Sequence, residues 1–126
     1  MNKEKDNDLL VIKKAKWLAK YTLEITANIN HYPKKFRYSL VDKMQNRCLE
    51  IYMNLHEANR TDIKDYKRHR LELQTRAITY CDELLYFIEL SYELNIIPKG
   101  SLEHWSKLVA DVKYMAIKWR TNDRKR

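Results

Sequence analysis

Hydrophobic residues recur along this 126-residue chain with the three- and four-residue spacing of amphipathic helices. Four such segments can be traced, over about residues 8–30, 39–58, 63–95 and 101–121. An isolated helix of this kind is not stable in water, so each segment must bury its apolar stripe against the others. The pattern therefore predicts four helices that share one core.

The four stripes have the same i, i+3, i+4 spacing. They are Leu18, Thr22, Ile25 and Ile29; Leu40, Met44, Cys48, Ile51 and Leu55; Leu73, Ala77, Cys81, Leu84 and Ile88; and Trp105, Leu108, Val112, Met115 and Trp119. Pro33 and Pro98 interrupt the periodicity, and Ser39, Asp62 and Ser101 are expected to cap the helices that follow. Short connections between the helices predict antiparallel neighbours in an up-down-up-down bundle.

The scarcity of turn-forming residues excludes several other architectures. One Gly and two Pro are too few for the many turns of a sandwich or barrel, or for a Gly-rich phosphate loop. A length of 126 residues fits one domain without a linker. We therefore expect a single all-α domain over residues 1–126.

Cysteine usage and hydropathy indicate the compartment. Cys48 and Cys81 are too few for a disulfide framework, and they fit buried thiols in a reducing environment. No apolar stretch approaches the roughly 20 residues that span a bilayer, and the first residues lack a signal-type apolar core. These features predict a cytoplasmic protein with no membrane partner.

The net charge of +8 lies in the first and last quarters of the chain. Residues 1–38 and residues 99–126 each carry an excess of five positive charges, whereas residues 39–65 and 66–98 each carry one net negative charge. First and fourth helices are neighbours in an up-down bundle, so their cations could merge into one positive face or end. Such a surface favours a polyanionic partner, with a merely solvated basic surface as the alternative.

The candidate nucleic-acid contacts are the lysines and arginines of these basic segments and of the start of the third helix. They are Lys13, Lys14, Lys16, Lys20, Lys34, Lys35, Arg37, Arg68, Arg70, Lys113, Lys118, Arg120, Arg124, Lys125 and Arg126. Tyr32, Phe36 and Tyr38 interleave with the basic connection and could stack on unpaired bases.

Catalytic and metal-binding patterns are missing from the sequence. None of the four histidines follows a glutamate by three residues, the spacing that a di-iron bundle requires, and none lies at metal-ligand spacing from a cysteine. There is no nucleophile elbow and no dinucleotide fingerprint. We expect a protein that is not an enzyme and uses no cofactor or metal.

Three stretches resemble a family of small four-helix-bundle proteins. They are Tyr32-Pro-Lys-Lys-Phe-Arg-Tyr-Ser-Leu40, Cys81-Asp-Glu-Leu-Leu-Tyr-Phe-Ile-Glu-Leu-Ser-Tyr-Glu-Leu94 and Val112-Lys-Tyr-Met-Ala-Ile-Lys-Trp119. The family includes the accessory variability determinant of diversity-generating retroelements and proteins encoded in intervening sequences of bacterial large-subunit ribosomal RNA genes. The likeness covers nearly the whole chain after residue 10.

This resemblance implies a homopentameric ring or barrel of bundles without enzymatic activity. On the retroelement branch, the protein would bind a reverse transcriptase and its template and so support mutagenic cDNA synthesis. The expected template is a structured RNA, and DNA is a further possible ligand. Trp17 and Tyr21 flank the stripe of the first helix and are candidates for the subunit interface. The alternatives are the ribosomal RNA intervening-sequence branch, whose role is obscure, and a protein-interaction module that does not bind nucleic acid.

Overall fold

The computed structural model describes the backbone of residues 3–126 and the side chains of residues 10–126. Within this part of the chain there are four α-helices and no strand, which confirms the all-helical prediction. The helices are α1 (Lys3–Ala27), α2 (Asp42–Arg60), α3 (Ile63–Glu93) and α4 (Lys99–Arg124). A 3₁₀ turn at Lys34–Phe36 and a π-helical turn at Arg37–Val41 lead from α1 into α2.

The helix starts depend on local backbone geometry, and only one of the three expected caps forms. Asp62 is extended and accepts a hydrogen bond from the backbone N–H of Lys64 at 3.0 Å, as predicted. Ser39 does not cap α2, because it lies inside the π-helical turn and Val41 before α2 is already helical. Ser101 does not cap α4 either, since extended Pro98 starts that helix two residues earlier than expected.

The core follows the predicted stripes of α2 and α3 closely, and every stripe residue in those two segments is buried. The stripe of α1 differs at its end, where Ile29 is 60% exposed because the helix ends at Ala27. In α4, Val109 and Ala116 are fully buried, whereas Leu108 and Met115 lie half-buried at the edge. Helical period therefore predicts the buried side of each helix, and the helix ends set how far it extends.

Buried polar groups tie α1 to its two neighbours. The indole N–H of Trp105, in α4, donates to the Thr22 hydroxyl at 2.9 Å. The Gln45 amide, in α2, donates to the Thr26 hydroxyl at 2.9 Å, and that hydroxyl donates to the Thr22 carbonyl at 2.6 Å. Because buried polar groups are costly when unpaired, these bonds restrict how α1 can slide or rotate.

Both cysteines are free and buried in the core, as the sequence predicts. Desolvation raises the pKa of Cys48 and of Cys81 to about 12. The thiols are therefore neutral packing groups at ordinary pH.

Neighbouring helices meet through contacts that join an early residue of one helix to a late residue of the other. The side-chain pairs are Gln45 with Thr26, Arg47 with Glu83, Arg70 with Asp123, and Trp105 with Thr22. These contacts connect α1 to α2, α2 to α3, α3 to α4, and α4 back to α1 around one core. No helix in the described part of the chain is both long and apolar enough to cross a bilayer.

Replacing Leu84 by Ala tests the core assignment. Leu84 is fully buried, so we expect the Leu84→Ala variant to lose about 2–5 kcal/mol of unfolding free energy in urea denaturation. Leu49 on α2 is 42% exposed and gives a matched control, since Leu49→Ala removes the same atoms from a surface position. Equal losses in the two variants would contradict this core.

Candidate nucleic-acid interface

The structure places two of the predicted basic groups, the connection between α1 and α2 and the end of α4, at opposite ends of the bundle. Lys34, Lys35 and Arg37 lie between α1 and α2, and the neighbouring Tyr32 ring contacts Trp105 near the start of α4. Arg124 lies at the far end of α4, about 28 Å from Trp105 at the rise of an α-helix. The predicted merger at one end is therefore wrong for the connection and the end of α4, which most of the bundle separates. The alternative, a positive face along α1 and α4, stays a prediction.

A basic groove of about 670 Å³ lies between α3 and α4. We call it the α3–α4 groove; its lining residues are Lys67, Arg68, Leu71, Glu72, Thr75, Arg76 and Arg124. Four of the seven are cations and one is a carboxylate. That carboxylate, Glu72, is already paired with Arg68 one helical turn away, at 3.3 Å. The groove thus combines excess positive charge with an apolar residue, Leu71.

Arg120 adds a further charge beside the α3–α4 groove. One of its terminal nitrogens donates to the Thr75 hydroxyl at 3.3 Å, which places the guanidinium next to the lining of the groove. Burial lowers the pKa of Arg120, and the positive charge of Arg124, one turn further along α4, adds a smaller lowering. A guanidinium stays protonated at any ordinary pH, so this crowding leaves a positive potential that an anion would relieve.

Lys67 fixes the end of α4 beside the start of α3. Its ammonium donates to the carbonyl of Arg124 at 3.0 Å and to the carbonyl of Arg126 at 2.7 Å. The last carbonyls of a helix have no partner within the helix, and a cation there also offsets the negative end of the helix dipole. The basic end of the chain is thereby held over α3.

Arg70 has a different role from the phosphate contact predicted for it. Its side chain is 8% exposed and donates through Nε to Asp123 Oδ2 at 2.7 Å, with the guanidinium 5.0 Å from the ring centre of Trp119. Asp123 is fully buried and also accepts from the Gln74 amide at 2.7 Å. Arg70 therefore joins α3 to α4 from inside the bundle, and burial removes it from the surface that a ligand would reach.

The remaining predicted cations differ in how far they are already paired. Lys113 donates to Asp82 at 2.6 Å, and this hydrogen bond raises the pKa of Lys113. Lys14 lies 3.6 Å from Asp111. Among the predicted contacts, the other exposed cations that do not line the α3–α4 groove are Lys13, Lys16, Lys20, Lys34, Lys35, Arg37, Lys118 and Lys125. Arg126 lies at the end of the chain, with Nε 3.9 Å from Asp123.

The aromatic residues of the basic connection do not act alike. Tyr32 is 2% exposed, and desolvation raises its pKa to about 12, so the predicted stacking of Tyr32 on a base is wrong for this conformation. Phe36 is half-buried, with the ammonium of Lys35 5.2 Å from its ring centre. Tyr38 is 80% exposed and keeps a free ring face for stacking. Lys34 and Arg37 line a second cavity of about 220 Å³ at this end.

The two predicted interface aromatics have different surroundings. Trp17 is 55% exposed on α1. Tyr21 is half-buried, with ring centres 5.0 Å from His104 and 5.8 Å from Trp105 in edge-to-face contacts. Tyr21 thus packs partly within its own chain, Trp17 keeps its exposed face, and the place of both at a subunit interface stays a prediction.

Sequence reasoning missed Arg76 and gave Lys67 no specific role. The signal was present, because Arg68, Glu72 and Arg76 recur at i, i+4 and i+8 on one side of α3. Net charge summed over residues 66–98 hid it, because most acidic residues of that segment follow Cys81 and cancel the cations that precede it. Among the described side chains, no three His, Cys, Asp or Glu residues form a group that could hold a metal ion.

Comparison with known proteins identifies a shared fold. The chain matches no protein-family model and no curated protein. It is similar in structure to a protein of unknown function from the S23 ribosomal protein family of Bacteroides thetaiotaomicron, with a TM-score of 0.81 and 14% sequence identity. The similarity covers 91% of this chain and 98% of that one. At this identity the comparison establishes the helical fold and carries no activity with it.

Replacing Asp123 by Asn tests the buried link between α3 and α4. The variant removes the negative charge that the buried Arg70 guanidinium contacts, so we expect a loss of about 3–5 kcal/mol in unfolding free energy. The control is Glu103→Gln, which removes an exposed partner 4.0 Å from Lys99 and should change stability by less than about 0.5 kcal/mol. Urea denaturation followed by circular dichroism measures both. An Asp123→Asn variant as stable as the control would refute the link.

Proposed function

We propose that this protein is a non-enzymatic accessory protein that binds structured RNA through the α3–α4 groove and its basic surroundings. The observation that carries the proposal is the convergence of Lys67, Arg68, Arg76 and Arg124 on one concave surface. Cations that contact several phosphates release the counterions of a polyanion, which supplies most of the affinity of such complexes. The proposed role is to hold RNA for a partner enzyme.

The proposed partner enzyme is a reverse transcriptase, as the resemblance to the retroelement accessory family implies. In that role, the protein would bind the enzyme and its template, RNA or DNA, and support mutagenic cDNA synthesis in the cytoplasm. The alternating early-to-late contacts between neighbouring helices support the up-down-up-down topology of that family. A reverse-transcriptase gene beside the gene for this chain would favour this branch.

The second candidate is the ribosomal RNA intervening-sequence branch of the same family. It is favoured by the structural similarity to a protein described as belonging to the S23 ribosomal protein family. The basic surface of this chain suits an RNA ligand on either branch. Binding to a reverse transcriptase separates them, because only the first branch needs it.

A homopentamer is part of the proposal, since the family implies a ring of bundles. Exposed Trp17 supports an interface on α1, because aromatic side chains are enriched at protein interfaces relative to the rest of the surface. Association of copies through α1 would leave the α3–α4 groove accessible, since all of its lining residues belong to α3 and α4.

RNA binding is tested by fluorescence anisotropy with a labelled structured RNA at about 50–200 mM salt. The groove variant Arg68→Gln/Arg76→Gln/Arg124→Gln should bind more weakly, and the slope of log affinity against log salt should fall by about one unit for each phosphate that is no longer neutralised. The control Lys13→Gln/Lys16→Gln/Lys20→Gln removes three positive charges from exposed positions of α1. It should change the salt dependence of RNA binding less than the groove variant does. Equal effects of the two triple variants would reject the groove as the site. No binding by the parent protein at about 100 mM salt would reject the RNA role in favour of a protein-interaction module.

Assembly is tested by native mass spectrometry and by light scattering during size-exclusion chromatography. We expect the parent protein to form pentamers and Trp17→Glu to form smaller species, because a buried carboxylate would be unpaired at an apolar interface. Tyr21→Phe keeps the ring contacts with His104 and Trp105 and should assemble normally. A parent protein that is monomeric at high concentration would refute the ring.

A further inference from the structure

The α3–α4 groove has features that phosphate binding alone does not require. Leu71 lies among the lining cations, so part of the lining is apolar. The Thr75 hydroxyl is engaged within the protein, accepting from Arg120 at 3.3 Å and donating to the Leu71 carbonyl at 2.9 Å. An apolar lining between charged groups suits a ligand that has a flat, weakly polar surface as well as negative charge.

The size of the groove limits what could fill it. The groove is open to solvent, and its volume of about 670 Å³ leaves room for a flat group the size of a nucleobase. A phosphate group would leave most of that volume empty. A double helix keeps its bases stacked inside and presents a phosphate backbone, so it would touch the rim without filling the groove.

The cations around the groove are mainly guanidinium groups. Arg68, Arg76 and Arg124 line it, and in the described side chains neither Arg76 nor Arg124 makes an ion pair. A guanidinium is planar and stacks on an aromatic face, whereas an ammonium acts as a point charge. The lysine of the groove, Lys67, is already bonded to the end of α4. The groups left to meet a ligand can therefore stack on a base as well as pair with phosphate.

From these observations we infer that the α3–α4 groove takes unpaired nucleotides of an RNA loop, with a base stacked on an arginine plane against Leu71. This inference rests on the proposed RNA-binding function and names the part of the RNA that the groove selects. The backbone phosphates next to the inserted base would lie against the remaining guanidinium groups. The protein would then prefer a hairpin with an exposed loop to a blunt duplex of equal length.

The test separates stacking from charge by an arginine-to-lysine exchange. The variant Arg68→Lys/Arg76→Lys/Arg124→Lys keeps every positive charge but removes the planar groups. The probe is an RNA hairpin with 2-aminopurine in its loop, whose fluorescence is quenched when the base stacks. We expect the parent protein to quench the probe and to bind the hairpin more tightly than a blunt duplex. The lysine variant should lose the quenching and about tenfold in hairpin affinity while its duplex affinity stays unchanged.

Two controls make the result specific to the α3–α4 groove. Arg37→Lys makes the same exchange at an exposed position at the other end of the bundle and should leave quenching intact. Urea denaturation should give the same midpoint for the parent protein and the lysine variant, because Arg68, Arg76 and Arg124 are exposed.

The outcomes distinguish this inference from the function on which it rests. Salt-dependent RNA binding with equal affinity for hairpin and duplex, no quenching and no effect of the lysine exchange would overturn loop recognition and leave the accessory role standing. Quenching that also disappears in Arg37→Lys would place the stacked base at the other end and overturn the site. No RNA binding by the parent protein would overturn both.

Discussion

The buried carboxylate of Asp123 is the constraint on which the contact between α3 and the end of α4 depends. It accepts hydrogen bonds from Arg70 and Gln74, both at 2.7 Å, and so fixes the last turn of α4 against the first turns of α3. An ion pair inside a protein is held only when its geometry offsets the cost of removing two charges from water. Lys67 adds a second link by donating to the carbonyls of Arg124 and Arg126. Together these links keep Arg124 beside Arg68 at the α3–α4 groove.

The two ends of the bundle are stabilised in different ways. Near the start of α4, Trp105 fills the core and donates to Thr22, so aromatic packing and one hydrogen bond hold the helices together. At the end of α4, the hydrogen bonds from Arg70 and Gln74 to Asp123 hold the helices together. Two polar groups near this link, Gln74 Oε1 and the Trp119 indole N–H, have no hydrogen-bond partner among the described residues. A shifted register of α3 against α4 would leave the charges of Arg70 and Asp123 unpaired, so this link adds specificity by disfavouring other registers. The α3–α4 groove, which needs side chains from both helices, benefits from that specificity.

The shared fold at 14% identity has a simple physical explanation. A bundle needs helices of suitable length with one apolar side each, and many sequences satisfy that requirement. The surface is not constrained in this way, so similar bundles can carry different partners. The proposed function therefore depends on the particular cations of α3 and α4, and the bundle supplies their positions.

The amino-acid sequence by itself predicted the four helices, the buried stripes of α2 and α3, the Asp62 cap and the two buried cysteines. It could do so because helical period and capping are local properties. Only the tertiary fold determines that Arg70 and Tyr32 are buried and that Arg76 and Arg124 line the same groove. Each of these features depends on the register and rotation of helices that are distant in sequence. The net charge of a segment contains no information on either. A cation's role is set by its neighbours in space: Arg68 and Arg70 are two residues apart, yet one faces solvent and the other is buried against Asp123.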